Sequence, residues 1–276
     1  MREVVIQKVL SGVLVALALM TLDAREIAVC FAVLGQGHFL GAYYYQWKAG
    51  KMRGTWVLVY ALLAASLIAI GLLTKVEWFM LAAGILFFIH HFQDEVTLFG
   101  KTRSIPRTLE QLGPIFLYSA LMSDALFATS LVLPVLALVA VLVLVSIALF
   151  LVKKYTPDAL SAYLLTLTLG LAAIGYSDVQ IAPEKLFGSV VLFHYACWYI
   201  YFYFRFANNA ERQRAYIIDM LAIHGIVFVS YALYLYTYWG NSTLTVVFAP
   251  VFFYIWAILH ILFSIRLGDY RDALRW

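Results

Sequence analysis

The sequence predicts an all-α, polytopic membrane helix bundle of about ten transmembrane helices, forming a single transmembrane domain over residues 1–276. Two observations carry this. Hydrophobic residues make up 64% of the chain and charged residues 12%, against roughly 25% charged in soluble domains, and the mean hydropathy is +0.90. The apolar residues are also gathered into runs near the ~20 residues that a helix needs to cross a bilayer.

In chain order the runs cover residues 4–22, 27–47, 55–74, 78–98, 109–127, 131–152, 158–176, 186–205, 215–238 and 244–266. The first contains Lys8 and lacks an Ala-x-Ala site, so it reads as a retained span and not as a cleavable signal peptide. The fifth is the least regular, because Pro114, Ser123 and Asp124 interrupt or end it. Cys30 and Cys197 fall inside apolar runs and read as small core residues, not as a disulfide framework.

The connections alternate in charge. Arg2/Lys8, Lys48/Lys51/Arg53, Lys101/Arg103/Arg107, Lys153/Lys154, Arg205/Arg212/Arg214 and Arg266/Arg271/Arg275 fall on one side. The other side offers Asp23/Arg25/Glu26, Lys75/Glu77, Asp124, Asp178/Glu184/Lys185 and the neutral Gly240-Asn241-Ser242. The positive-inside rule then places both termini in the cytoplasm of a multi-pass protein, expected in a prokaryotic plasma membrane. The net charge of +4 concerns this orientation, and no nucleic-acid partner is expected.

Polar chemistry concentrates in Ile89-His90-His91-Phe92-Gln93-Asp94-Glu95. Ionisable groups at membrane depth are costly and mark candidate functional sites. On a helix His90 shares a face with Asp94, and His91 with Glu95, while the adjacent imidazoles point about 100° apart. The remaining histidines stand at similar depth. His38 is ten residues before Lys48, His194 eleven before Arg205, His260 six before Arg266 and His224 ten after Arg214. With 1.5 Å rise per residue they occupy one slab, roughly 9–17 Å from the basic helix ends.

A lone membrane histidine is more often a hydrogen-bonding core residue than a ligand, but the shared depth favours a common site. His38, His90, His91, His194 and His260 are therefore candidate metal ligands. His224 completes the set, although its helix runs the opposite way and a core role suits it better. Asp94 and Glu95 are candidate catalytic or supporting carboxylates, with Gln93 and Gln36 as further partners for ligand nitrogens. Asp219 is expected to pair with Arg212 or Arg214. Tyr43, Tyr44, Tyr45, Trp47, Tyr199, Tyr201 and Tyr203 read mostly as an interfacial aromatic belt. The stretches His38-Phe39-x-x-x-Tyr43-x-Tyr45 and His194-Tyr195-x-x-x-Tyr199-x-Tyr201 echo one another and hint at an internal repeat.

Imidazole suits iron, zinc or copper, and the scarcity of thiolate argues against a sulfur-rich site. A redox metal among apolar helices implies a lipid-soluble substrate and O2. The HxxxH and HxxHH pattern of membrane desaturases is absent. Gly37-His38, Ile89-His90-His91-Phe92 with Asp94-Glu95, His194 in an aromatic helix ending at Arg205, and Leu259-His260-Ile261-Leu262 with Arg266 resemble the Brp/Blh family of membrane β-carotene 15,15′-dioxygenases. The resemblance implies a histidine-bound Fe(2+) and an oxidoreductase of the dioxygenase type acting on a carotenoid- or isoprenoid-like substrate. Haem b, Cu or Zn are the alternative cofactors. A proton-coupled transporter with a histidine/carboxylate relay, its helix broken near Gly35, Gly37 and Gly41, is the alternative of another class.

Overall fold

The computed structural model describes residues 2–48, 50, 54–98, 105–152, 155–177, 181–237 and 242–266. Lys51, Arg53, Lys101, Arg103, Lys153, Lys154, Asp178, Gly240, Asn241, Arg271 and Arg275, which carry much of the expected charge alternation, lie outside the described residues. The described residues form α1 (Arg2–Thr21), α2 (Ala24–Lys48), α3 (Gly54–Leu73), α4 (Val76–Leu98), α5 (Ile105–Phe127), α6 (Val132–Leu151), α7 (Ala159–Tyr176), α8 (Pro183–Arg205), α9 (Ala210–Tyr236), α10 (Ser242–Phe248) and α11 (Pro250–Arg266). No strand occurs among them.

Seven helices, α1, α2, α4, α6, α7, α8 and α9, are long and apolar enough to cross a membrane. The chain is a multi-pass helical membrane protein. α6 shows why most directly: Leu133, Leu144 and Leu151 are all well exposed on a helix with almost no polar face. A helix that is apolar all round and still exposed calls for hydrocarbon as its solvent. Shorter apolar stretches, Val57–Leu73 and Pro250–Ser264, occur in α3 and α11. The chain divides into two compact units, Met1–Ala83 with Phe187–Trp276, and Gly84–Leu186.

In the first unit α2 packs on α9 and α11, α11 on α3, and α10 on α9 and α11. α2 begins with a reciprocal cap: Glu26 N–H donates to Asp23 Oδ1 and Asp23 N–H donates to Glu26 Oε2, both at 2.8 Å. It then runs unbroken through Gly35, Gly37 and Gly41, so these glycines do not break the helix. They let neighbours approach. A methyl at Gly35 would lie 2.7 Å from Tyr195 Oη and 2.8 Å from the Phe253 ring.

The tenth predicted run is divided in two. Pro250 opens α11 and has no N–H, so it cannot satisfy the carbonyl of Val246 four residues earlier. Trp256 Nε1 donates to that carbonyl at 2.8 Å, and Gln36 Nε2 donates to the next one, Val247 O, at 2.7 Å. Gln36 is therefore committed to backbone repair and not to a histidine. Asp219 also differs from expectation. It accepts from Tyr45 Oη at 3.1 Å and lies 3.7 Å from Lys48 Nζ. Arg214 is about 140° away around the helix and Arg212 about two turns along it. Cys30 and Cys197 are free thiols, as expected.

In the second unit α5 packs on both α6 and α7. Pro114 does not end α5, which continues to Phe127. The following turn depends on Asp124, whose carboxylate accepts from Thr129 Oγ1 (2.6 Å), Leu131 N (2.7 Å) and Val132 N (3.2 Å). Ala128 and Ser130 adopt φ of 53° and 57° in that turn, a region costly for residues with a Cβ. α7 starts at Asp158, which forms a reciprocal capping box with Ser161.

Two stability effects follow. Trp256→Phe keeps the ring but orphans Val246 O, and should destabilise the folded protein by about 1–3 kcal/mol. Ala128→Gly relieves a left-handed residue and should stabilise by roughly 1 kcal/mol. Thermal unfolding in one detergent should lower the midpoint for the first and raise it for the second.

Candidate functional site

The first unit brings three histidines together from three helices. His38 on α2 has its ring centre 5.3 Å from that of His194 on α8 and 5.0 Å from that of His260 on α11. His194 and His260 are buried, and His38 is partly so. Each of two imidazoles lies against an aromatic ring. Tyr195 stacks on His38 at 4.6 Å and 29°, and Phe39 stacks on His260 at 4.7 Å and 28°.

The two stacking rings are the residues that follow His38 and His194 in sequence. Each histidine thus carries beside it a ring that braces a histidine or brings one close. This gives the echo between the two stretches a physical content: in both, a histidine and the next aromatic residue serve the same cluster. Phe31 lies deeper in the same unit, with ring centres 5.2 Å from both Phe187 and Phe253. Aromatic rings make up much of the surroundings of His38 and His260.

The ring separations from His38, 5.0 Å and 5.3 Å, are short for two axial ligands facing each other across a porphyrin, whose ring centres stand more than about 6 Å apart.

His224 takes a different part. Its Nδ1 lies 2.8 Å from the carbonyl of Met220, which accepts only, so Nδ1 carries a proton. Its Nε2 lies 2.9 Å from Tyr199 Oη. Both nitrogens are engaged by protein groups, leaving none for a metal. Gly37 makes room for this ring, since a methyl there would sit 2.5 Å from His224 Nε2. The core role anticipated for His224 fits its geometry, and its inclusion among the ligands does not. Tyr199 also faces His38, with ring centres 6.1 Å apart. Tyr43 lies 6.1 Å from the His260 ring. These two tyrosines were read as part of an interfacial belt, whereas Tyr203 and Trp47 are exposed as a belt requires.

The second unit holds the pairs predicted from helical spacing. His90 Nε2 is 3.5 Å from Asp94 Oδ2, and His91 Nε2 is 3.6 Å from Glu95 Oε1. All four side chains are buried. His91 Nε2 has a closer partner in Tyr163 Oη, at 3.0 Å. The adjacent histidines therefore have separate surroundings, as expected of neighbours about 100° apart on a helix. His90 and Asp94 together offer an imidazole nitrogen and a carboxylate oxygen of the kind that binds metal ions. Gln93 is half-buried beside them.

The chain matches no protein-family model, no curated protein and no solved structure.

The packing of α9 against α2 can be tested through Gly37. Gly37→Ala drives a methyl into the His224 ring and should destabilise by about 1–3 kcal/mol despite the better helix propensity of alanine. His224→Ala removes the obstacle, so the double variant should be more stable than the sum of the two single changes requires. Additive losses in thermal unfolding would show that the two residues are not in contact.

Proposed function

We propose that His38, His194 and His260 bind one metal ion, Fe(2+) by preference, and that the protein is a membrane non-haem iron oxygenase acting on a lipid-soluble substrate. The single observation that carries the reading is the meeting of three imidazoles from α2, α8 and α11, with ring centres 5.0 Å and 5.3 Å from His38. Three neutral nitrogen donors leave positions open for other ligands, which is the requirement for a catalytic and not a closed structural ion. Bound iron would supply the activation of O2.

The chain's own residues supply position and exclusion. Tyr195 and Phe39 hold two of the imidazoles against rotation, which lowers the ordering cost of forming the site. The apolar rings around them keep water away and suit a hydrocarbon substrate, of which a carotenoid or another isoprenoid is the class implied by the Brp/Blh resemblance. O2 and such a substrate both partition into the bilayer. Asp94 and Glu95 keep their proposed supporting role through the buried pairs with His90 and His91.

Metal content per folded protein tests the ligand set. His38→Ala, His194→Ala and His260→Ala should each abolish iron retention. His224→Ala and His91→Ala should keep most of it, because Tyr199, Met220 and Tyr163 already engage those rings. Loss of iron in a folded His90→Ala variant would add that residue to the set. Equal retention across all the variants would remove the site. An optical spectrum separates the cofactors: iron without a Soret band fits the oxygenase, and a Soret band with iron fits haem b. Folded protein that takes up no metal leaves the proton-relay transporter as the better reading.

A further inference from the structure

Away from the three clustered histidines, the first unit sets an amine against a thiol where α1 meets α8. Lys8 Nζ donates to Cys197 Sγ at 3.4 Å. Cys197 is buried, and Lys8 is partly so. Gln7, the preceding residue, donates from Nε2 to the carbonyl of the same Cys197. Two adjacent side chains of α1 thus converge on one residue of α8, one on its backbone and one on its sulfur. The next turn of each helix fixes the register. Phe193, four residues before Cys197, has its ring centre 5.6 Å from Lys8 Nζ. Gly12, four residues after Lys8, faces the same ring, and a methyl there would lie 3.9 Å from Phe193 Cε2. Residues 8 and 12 of α1 therefore meet residues 197 and 193 of α8, as the i, i+4 rows of two antiparallel helices do. The contact of amine and thiol is set by this packing and not by the reach of one flexible side chain.

The pair has a defined redox chemistry. A thiol oxidised by a peroxide becomes a sulfenic acid, whose sulfur is electrophilic and condenses with a second thiol or with a nitrogen. The chain has one other cysteine, Cys30, and both thiols are free. The nitrogen held against the Cys197 sulfur is the Lys8 amine. Both residues lie within apolar, membrane-crossing stretches, Val4–Thr21 and Pro183–Arg205. An oxidant that dissolves in hydrocarbon, such as a lipid hydroperoxide, shares that environment.

We propose that Cys197 and Lys8 are a modification site, at which an organic hydroperoxide drives formation of a reversible sulfenamide cross-link between α8 and α1. In the first step the Cys197 sulfur takes the terminal hydroxyl of the hydroperoxide as the O–O bond breaks. The sulfur gives up two electrons, and the peroxide is reduced to its alcohol, which keeps the thiol proton. In the second step the neutral Lys8 amine attacks the sulfur of the sulfenic acid. An N–S bond forms, the S–O bond breaks, and the hydroxyl leaves as water with one amine proton. Excess external thiol reverses the link, restoring amine and thiol while it is itself oxidised to a disulfide. The cross-link ties α1 to the helix that carries His194, three residues before Cys197. Its formation requires no metal at the histidines.

The test treats the purified full chain in detergent with tert-butyl hydroperoxide, blocks the remaining thiols and maps peptides by mass spectrometry. The peptides containing Lys8 and Cys197 should appear joined, at the sum of their masses less two hydrogen atoms, and should separate after dithiothreitol. Chain denatured before oxidation should give little of the joined peptide, because the fold supplies the proximity. Lys8→Arg keeps a cation but has no primary amine. Its Cys197 should stop at the sulfenic acid and label severalfold more strongly with dimedone than in the unaltered chain. Absence of the joined peptide from the folded, oxidised chain would overturn the proposal. Equal yields from folded and denatured chain would do the same, as would equal dimedone labelling with and without Lys8. Should Lys8→Arg fail to fold, the joined peptide of the unaltered chain decides alone.

Discussion

A polar group that leaves water for hydrocarbon keeps its hydrogen bond only if the protein supplies the partner. This requirement governs the first unit. Pro250 removes a backbone donor, and two side chains from elsewhere in the fold, Trp256 and Gln36, are spent on the carbonyls around the break. His224 meets the same requirement with a carbonyl of its own helix and the Tyr199 hydroxyl. Gln36 and His224, which look chemically available in the sequence, have structural duties of this kind. What sets His38, His194 and His260 apart is that the rings of His194 and His260 both lie close to that of His38.

Aromatic rings then shape that cluster. A flat ring packed against an imidazole restricts its rotation further than general packing does, and Tyr195 and Phe39 provide flat faces at stacking distance. Small residues make the stacking possible. Gly35 lets Tyr195 and Phe253 come against α2, and Gly37 does the same for His224. The glycines that suggested a broken transporter helix instead serve close packing in an unbroken one. Rings held in this way need little reorganisation to present a fixed arrangement, which is the property a metal or substrate site needs.

The second unit uses its polar residues differently. Its buried His–carboxylate pairs are local to α4, each built from residues four apart. Its other polar cluster is spread over α5, the turn before α7 and the start of α7, and combines capping with charge balance. Asp158 serves both purposes at once, closing the first turn of α7 and holding the guanidinium of Arg107.

Local physics made part of this protein legible in its sequence. Apolar runs near the length of a bilayer crossing marked the helices, and the period of 3.6 residues paired His90 with Asp94 and His91 with Glu95. Thiols without a disulfide followed from their apolar neighbours. The tertiary structure decided the rest. That Asp219 meets Tyr45 and Lys48, that Gln36 serves a carbonyl 211 residues away, and that Tyr195 and Tyr199 belong with the histidines all depend on which helix faces lie together. Periodicity says which residues share a face of one helix. It is silent on what that face meets, because the meeting is set by close packing and by the search of every buried polar group for a partner.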